Sequence, residues 1–140
     1  DLEFPNGAVI TPDGRTLIVA ETFVGRLTAF DRAADGTLSN RRVWAPLGDR
    51  TPDGICLDQA GAVWVASFAT GEFVRVREGG QVLDVIDCPG KRAVACNLGG
   101  ADGRTLFALT YAGTLEDIPT GKVGGAVEVC RVAVAGAGSP

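Results

Sequence analysis

The sequence predicts an all-β chain that forms about three blades of a β-propeller, each blade a four-stranded antiparallel sheet. Apolar residues alternate or run in short blocks, too short for helices of ordinary length. Twenty glycines and seven prolines punctuate those blocks, as a chain with many tight turns requires. One order of elements, roughly 45 residues long, is written about three times.

The first unit runs through Gly7-Ala8-Val9-Ile10, turns at Pro12-Asp13-Gly14, and continues with Thr16 to Ala20, Arg26 to Phe30 and Ser39 to Trp44. Four strands on short connections pair as one antiparallel sheet. The second unit repeats the order with Gly54-Ile55-Cys56-Leu57, the turn Gln59-Ala60-Gly61, then Ala62 to Ala66, Glu72 to Arg77 and Gln81 to Asp87. A third begins at Val94 to Leu98, turns at Ala101-Asp102-Gly103 and continues with Thr105 to Thr110. The turn residues Asp13, Ala60 and Asp102 lie 47 and 42 positions apart. This phase divides a single partial domain, 1–140, into blades at about 4–47, 48–91 and 92–140.

The third unit departs from the pattern. Tyr111 to Gly125 is polar and glycine-containing, and one strand, Ala126 to Val134, follows it, so this blade is expected to lack its fourth strand. Three blades also fall short of the roughly four to eight that close a ring. Closure therefore needs a missing N-terminal half or a second copy, and the opening at Asp1 and the tail Ala135-Gly136-Ala137-Gly138-Ser139-Pro140 read as the C-terminal half of something longer.

Composition excludes several function classes. The net charge is -4 and the 13 Lys and Arg are dispersed, so no clustered positive face exists for nucleic acid. No run approaches the roughly 18 apolar residues of a membrane span, and Asp1-Leu2-Glu3-Phe4-Pro5 has no secretory pattern, so a soluble, cytoplasmic chain with no membrane partner is expected. Histidine is absent, which removes imidazole bases and ligands. Cys56, Cys88, Cys96 and Cys130 have no short paired spacing and sit among apolar neighbours, so they are expected to be reduced, buried thiols.

Several stretches then carry a resemblance. They are Phe4-Pro5-Asn6-Gly7, Pro12 to Leu17, Arg26 to Asp31, Ser39 to Arg42, Pro52 to Asp58 and Val63-Trp64-Val65-Ala66. In this order and spacing the chain resembles the family of senescence marker protein (SMP-30), gluconolactonase and luciferin-regenerating enzyme. The resemblance implies half of a six-bladed propeller of about twice this length. It also implies a divalent metal at one mouth of the central channel, calcium or zinc with magnesium or manganese possible, used to hydrolyse a sugar lactone or related ester. Asn6 matches the family's asparagine ligand, and Asp53 matches its aspartate ligand and catalytic base. The remaining ligands, a glutamate and a further asparagine, would precede Asp1.

The residues themselves agree with that placement. Asn6 and Asp53 each lie seven positions before an equivalent turn residue, Asp13 and Ala60, and equivalent blade positions converge on the axis. An amide oxygen and a carboxylate are hard donors suited to calcium or magnesium. The same count reaches Ala95 in the third unit, which cannot ligate. Asn-Gly and Asp-Gly also serve as plain turns, as Pro12-Asp13-Gly14 does. Glu21, Ser67 and Thr110 share one position at the end of the second strand, and Glu21 is the candidate substrate contact among them. Asn97 is assigned to turn backbone, Trp44 and Trp64 to packing between blades, and Arg41, Arg42, Arg75 and Arg77 to solvated strand faces. The competing function is a non-catalytic propeller module that binds a small molecule or partner, with a structural metal or none.

Overall fold

Eleven strands make up nearly all of the regular structure in residues 1–138, which the computed structural model describes; the end of the tail, Ser139-Pro140, lies outside the described residues. Strands β1 (Pro5–Ile10), β2 (Thr16–Glu21), β3 (Arg26–Arg32) and β4 (Leu38–Pro46) form the first antiparallel sheet in the order β1-β2-β3-β4. Strands β5 (Pro52–Leu57), β6 (Val63–Ser67), β7 (Glu72–Val76) and β8 (Val82–Asp87) repeat it. Strands β9 (Arg92–Gly99), β10 (Thr105–Tyr111) and β11 (Gly125–Arg131) form a sheet of three, so the third blade does lack a fourth strand among the described residues. No described helix is long and apolar enough to cross a membrane.

The core lies between the sheets, because each strand turns alternate side chains to opposite neighbours. Ile18 and Ala20 of β2 meet Val63 and Val65 of β6 between the first and second blades. Trp64 and Ala66, the intervening residues of β6, meet Leu106 and Ala108 of β10 between the second and third. Trp44 and Trp64 are buried in these two layers, as packing residues.

The innermost strands approach each other backbone to backbone. A Cβ at Gly7 would stand 2.6 Å from the Asp53 carbonyl oxygen, and a Cβ at Gly54 would stand 2.5 Å from the Ala95 Cβ. Glycine is required here by space, since both positions lack the positive φ that otherwise selects it. Register explains the crowding. Pro5 pairs with Glu21 and Ala8 with Val19, so Asn6 and Gly7 together face the single residue Ala20. Pro52 pairs with Ser67 and Ile55 with Val65, so Asp53 and Gly54 face Ala66. In β9, Ala93 pairs with Thr110 and Ala95 with Leu109, leaving Val94 as the extra residue. Each inner strand thus carries a bulge at the same end, which re-aims one side chain out of the ladder.

Two expectations change. The last strand ends at Arg131 rather than Val134: after Val132 donates to the Arg104 carbonyl, the chain turns inward to the base of β5. There the Gln59 amide donates to the Ala135 carbonyl, the Ala137 amide donates to the Leu57 carbonyl, and Asp58 bridges Gly136. The small residues permit the turn, since a Cβ at Gly136 would lie 2.7 Å from the Leu98 Cβ. Arg75 is also not a solvated face residue: it donates at 2.6 Å to Asp58, which is wholly buried and also accepts the Ala60 and Ala62 amides.

Gly54→Ala is expected to cost about 1–3 kcal/mol by forcing β5 from β9. Gly125→Ala, with nothing within 4 Å, should stay within about 0.5 kcal/mol of the parent. Urea unfolding of both variants checks this, and an unchanged midpoint for Gly54→Ala would contradict the close approach.

Candidate functional site

The bulges put Asn6 and Asp53 at the same end of neighbouring inner strands. The Asn6 amide nitrogen donates to the Thr22 hydroxyl at 3.4 Å, and that hydroxyl donates to the Pro52 carbonyl at 2.8 Å. Thr22 therefore ties the first residue of β5 to the side chain of Asn6. With its nitrogen so engaged, the Asn6 amide oxygen accepts no hydrogen bond among the described residues. Burial pushes the Asp53 carboxyl above its ordinary value, and a hydrogen bond from Asn6 offsets part of that rise. Asp53 forms no ion pair among the described residues, unlike the buried carboxylates Glu21 and Asp58.

The structure thus brings Asn6 and Asp53 together and adds Thr22, which the sequence reading did not single out. Its signal was a polar residue directly after a repeated strand end, too common a pattern to stand out. The third-blade counterpart of the pair is Val94 rather than Ala95. Between Leu98 and Leu106 the β9–β10 hairpin holds seven residues, where Ile10 to Leu17 encloses six, so counting back from the turn slips by one. Register places Ala95 beside Gly54 instead.

Glu21 has a different place. It is 0% exposed, and its oxygens accept from Arg26 at 2.9 Å, from Arg41 at 3.3 Å, from the Glu3 amide at 2.7 Å and from the Thr28 hydroxyl. These donors leave it no free oxygen face toward a substrate, so its role in this chain is to hold β2, β3 and β4 to the N-terminal segment. Its counterparts are also committed: the Ser67 hydroxyl accepts from the Thr51 amide and Thr70, and the Thr110 hydroxyl donates to Glu128. Arg42 pairs with Asp31 at 2.7 Å, and the Asn97 side chain accepts from the Leu98 amide.

Asp53 also borders a cavity of about 700 Å³ roofed by the β10–β11 connection. Hard oxygen donors are present as one amide and one carboxylate, and no group of three or more Asp, Glu, His or Cys gathers among the described residues. Asn6 and Asp53 fit part of an oxygen-donor set and are too few for all of it. Thiols do not extend the set. Cys56 and Cys96 are buried with their sulfurs 3.7 Å apart, while Cys88 and Cys130 are half-buried rather than buried as expected. The hydrogen bond with Cys56, and then burial, push the Cys96 thiol well above its ordinary value.

Comparison with known proteins supplies the context. Residues 1–112 match the model of the SMP-30/Gluconolactonase/LRE-like region. A 6-deoxy-6-sulfogluconolactonase of Pseudomonas putida is 30% identical over the whole of this chain, which covers 50% of that protein. A gluconolactonase structure from Xanthomonas campestris is 38% identical with a TM-score of 0.65, over 77% of this chain and 35% of its own. A calcium-binding protein, regucalcin, from Agrobacterium tumefaciens superposes with a TM-score of 0.80 at 24% identity, over 100% of this chain and 50% of its own. The chain spans about half the length of the relatives it matches.

The Glu21 cluster generates a pH dependence. Burial raises the Glu21 carboxyl, but the bonds from Arg26, Thr28 and Glu3 outweigh it and hold it at about 2, below its ordinary value of 4.5. A carboxylate with a depressed value stabilises the fold above its unfolded value and loses that contribution as pH falls. Stability is therefore expected to drop between about pH 4.5 and 2, and Glu21→Gln should flatten that interval in thermal melts while lowering stability at neutral pH.

Proposed function

Because the chain belongs to the SMP-30/Gluconolactonase/LRE-like family, we propose that it forms half of a metal-dependent hydrolase that opens a lactone or related ester at the mouth bearing Asn6 and Asp53. The observation that carries this reading is the pairing of an uncommitted amide oxygen with a half-buried carboxylate that has no ion-pair partner among the described residues, at equivalent bulges of adjacent inner strands. The wholly buried carboxylates Glu21 and Asp58 are ion-paired, so the lack of a cationic partner at Asp53 among the described residues supports a functional use.

Asn6 Oδ1 and one Asp53 oxygen would hold the cation, and further donors would come from outside this chain or from water. When bound, a divalent ion supplies Lewis-acid polarisation of a carbonyl. Calcium is favoured over zinc, since both protein donors are hard oxygens and neither histidine nor an uncommitted thiol stands beside them. Thr22 orients Asn6 by engaging its amide nitrogen. Asp53 acts as general base: its free oxygen takes a proton from the attacking water as the water oxygen bonds the acyl carbon. The acyl carbon–oxygen bond of the ring then breaks, and the proton passes to the departing alkoxide, giving the hydroxy acid. Small lactones or esters are the partners implied.

In the six-bladed protein, or in any assembly that completes the ring, Asp53→Ala is expected to lower lactone hydrolysis by about a hundredfold or more, in keeping with loss of a positioned base. Asp53→Asn and Asn6→Ala should each weaken calcium binding in calorimetric titration. Retained hydrolysis in Asp53→Ala would refute its catalytic role, and unaltered calcium affinity in both ligand variants would refute the metal assignment. A chelator-sensitive melting temperature without turnover would favour the structural-metal alternative.

A further inference from the structure

The cavity beside Asp53 has a wall whose chemistry the hydrolytic reading leaves unassigned. At about 700 Å³ it is of the size that small-molecule sites occupy. The β10–β11 connection, residues 112–124, is far longer than the four-residue connections at the same end of the other sheets, 22–25 and 68–71. Asp117 organises it: its carboxylate accepts from the Thr114 amide and hydroxyl and from Lys122, and its carbonyl accepts from Thr120. That scaffold carries a short 3-10 turn, Ile118–Thr120, which brings Ile118 to the cavity.

The other walls are Phe68 from the β6–β7 connection, Val94 at the third bulge, and Tyr111 and Val127 from β10 and β11. Where the first two bulges present Asn6 and Asp53, the third thus presents an isopropyl group. Two polar side chains at the rim, Lys122 and Thr110, are committed. The Lys122 ammonium is 3.0 Å from Asp117, and the Thr110 hydroxyl donates to Glu128 at 3.0 Å. The Tyr111 hydroxyl is buried without a partner among the described residues, and the loop backbone presses on it: a Cβ at Gly113 would be 2.7 Å from its oxygen. A polyhydroxylated sugar ring would lose water from several hydroxyls on entering such a space and find few replacements, whereas an alkyl group loses nothing.

We propose that this site takes a lactone or ester bearing an apolar chain or ring, with the apolar part against Phe68, Val94 and Ile118 and the carbonyl end at Asp53. The inference rests on the hydrolase reading for the carbonyl end and stands apart from it for the apolar wall. Substrate selection is then made by the third blade, through its loop and its bulge, while the first two blades supply the reacting groups.

The test is a ligand-observed NMR titration of the full 140-residue chain with two probes that resist hydrolysis, δ-decanolactam and gluconolactam. δ-Decanolactam is expected to bind at least about tenfold more tightly, as several methylenes leaving water would produce. Ile118 is 53% exposed on a loop, so Ile118→Asp should leave the fold intact and weaken δ-decanolactam about fivefold or more, while Ile118→Leu leaves it unchanged. Equal or tighter binding of gluconolactam, binding of neither probe, or indifference of δ-decanolactam to Ile118→Asp would each overturn the proposal. Turnover assays with the parent lactones in the ring-completed protein separate the two readings. Tight δ-decanolactam binding without hydrolysis of δ-decalactone removes the hydrolase and leaves the apolar wall. Hydrolysis of gluconolactone without δ-decanolactam binding removes the wall and leaves the hydrolase.

Discussion

Backbone contact between inner strands is the constraint on which the rest of this chain depends. Blades radiate from a common centre, so the innermost strands must approach far more closely than the outer ones. At the mouth that approach excludes even a methyl group at Gly7 and Gly54. The bulges beside those glycines are the other half of the arrangement. Each adds a residue without lengthening the partner strand, and the surplus residue turns its side chain out of the ladder. Asn6, Asp53 and Val94 are those residues, so the same geometry that lets the blades meet also decides which side chains leave the ladder at that end.

Three buried or half-buried carboxylates show how environment assigns roles to like groups. Glu21 meets two arginines, a hydroxyl and an amide, and stays charged as a clamp between strands and the N-terminal segment. Asp58 meets Arg75 and two amides at the base of β5, where the C-terminal tail also arrives. Replacing one partner in either cluster would strand a charge, which is why such groups are committed to structure. Asp53 has one polar neighbour, Asn6, and opens on an apolar cavity. A carboxylate left with so little compensation is costly to the fold.

The third blade is built like the others in its inner strands and unlike them at its rim. Its β10 residues Leu106 and Ala108 face the second blade, and the intervening Phe107 and Leu109 pair across with Val129 and Val127 on a face that remains partly exposed. The repeated pattern, in which one blade's alternate residues meet the next blade's, continues to that face without a neighbour among the described residues.

The sequence by itself determined the strands and their order, including a third sheet of only three strands among the described residues, because alternation and turn residues act over a few positions and repeat. It also marked Asn6 and Asp53, since a repeat carries equivalent positions to equivalent places. It could not determine the partners of Glu21, which come from residues 3 to 41, nor the commitment of Arg75 to a buried aspartate. It misassigned Ala95 for Val94, because one extra residue in a hairpin shifts the count and only strand pairing shows where that residue went. The inward tail, Thr22 and the apolar cavity were decided by tertiary structure for the same reason. Local pattern specifies which way a side chain alternates, while what it meets depends on segments distant in sequence and on how closely the backbones can pack.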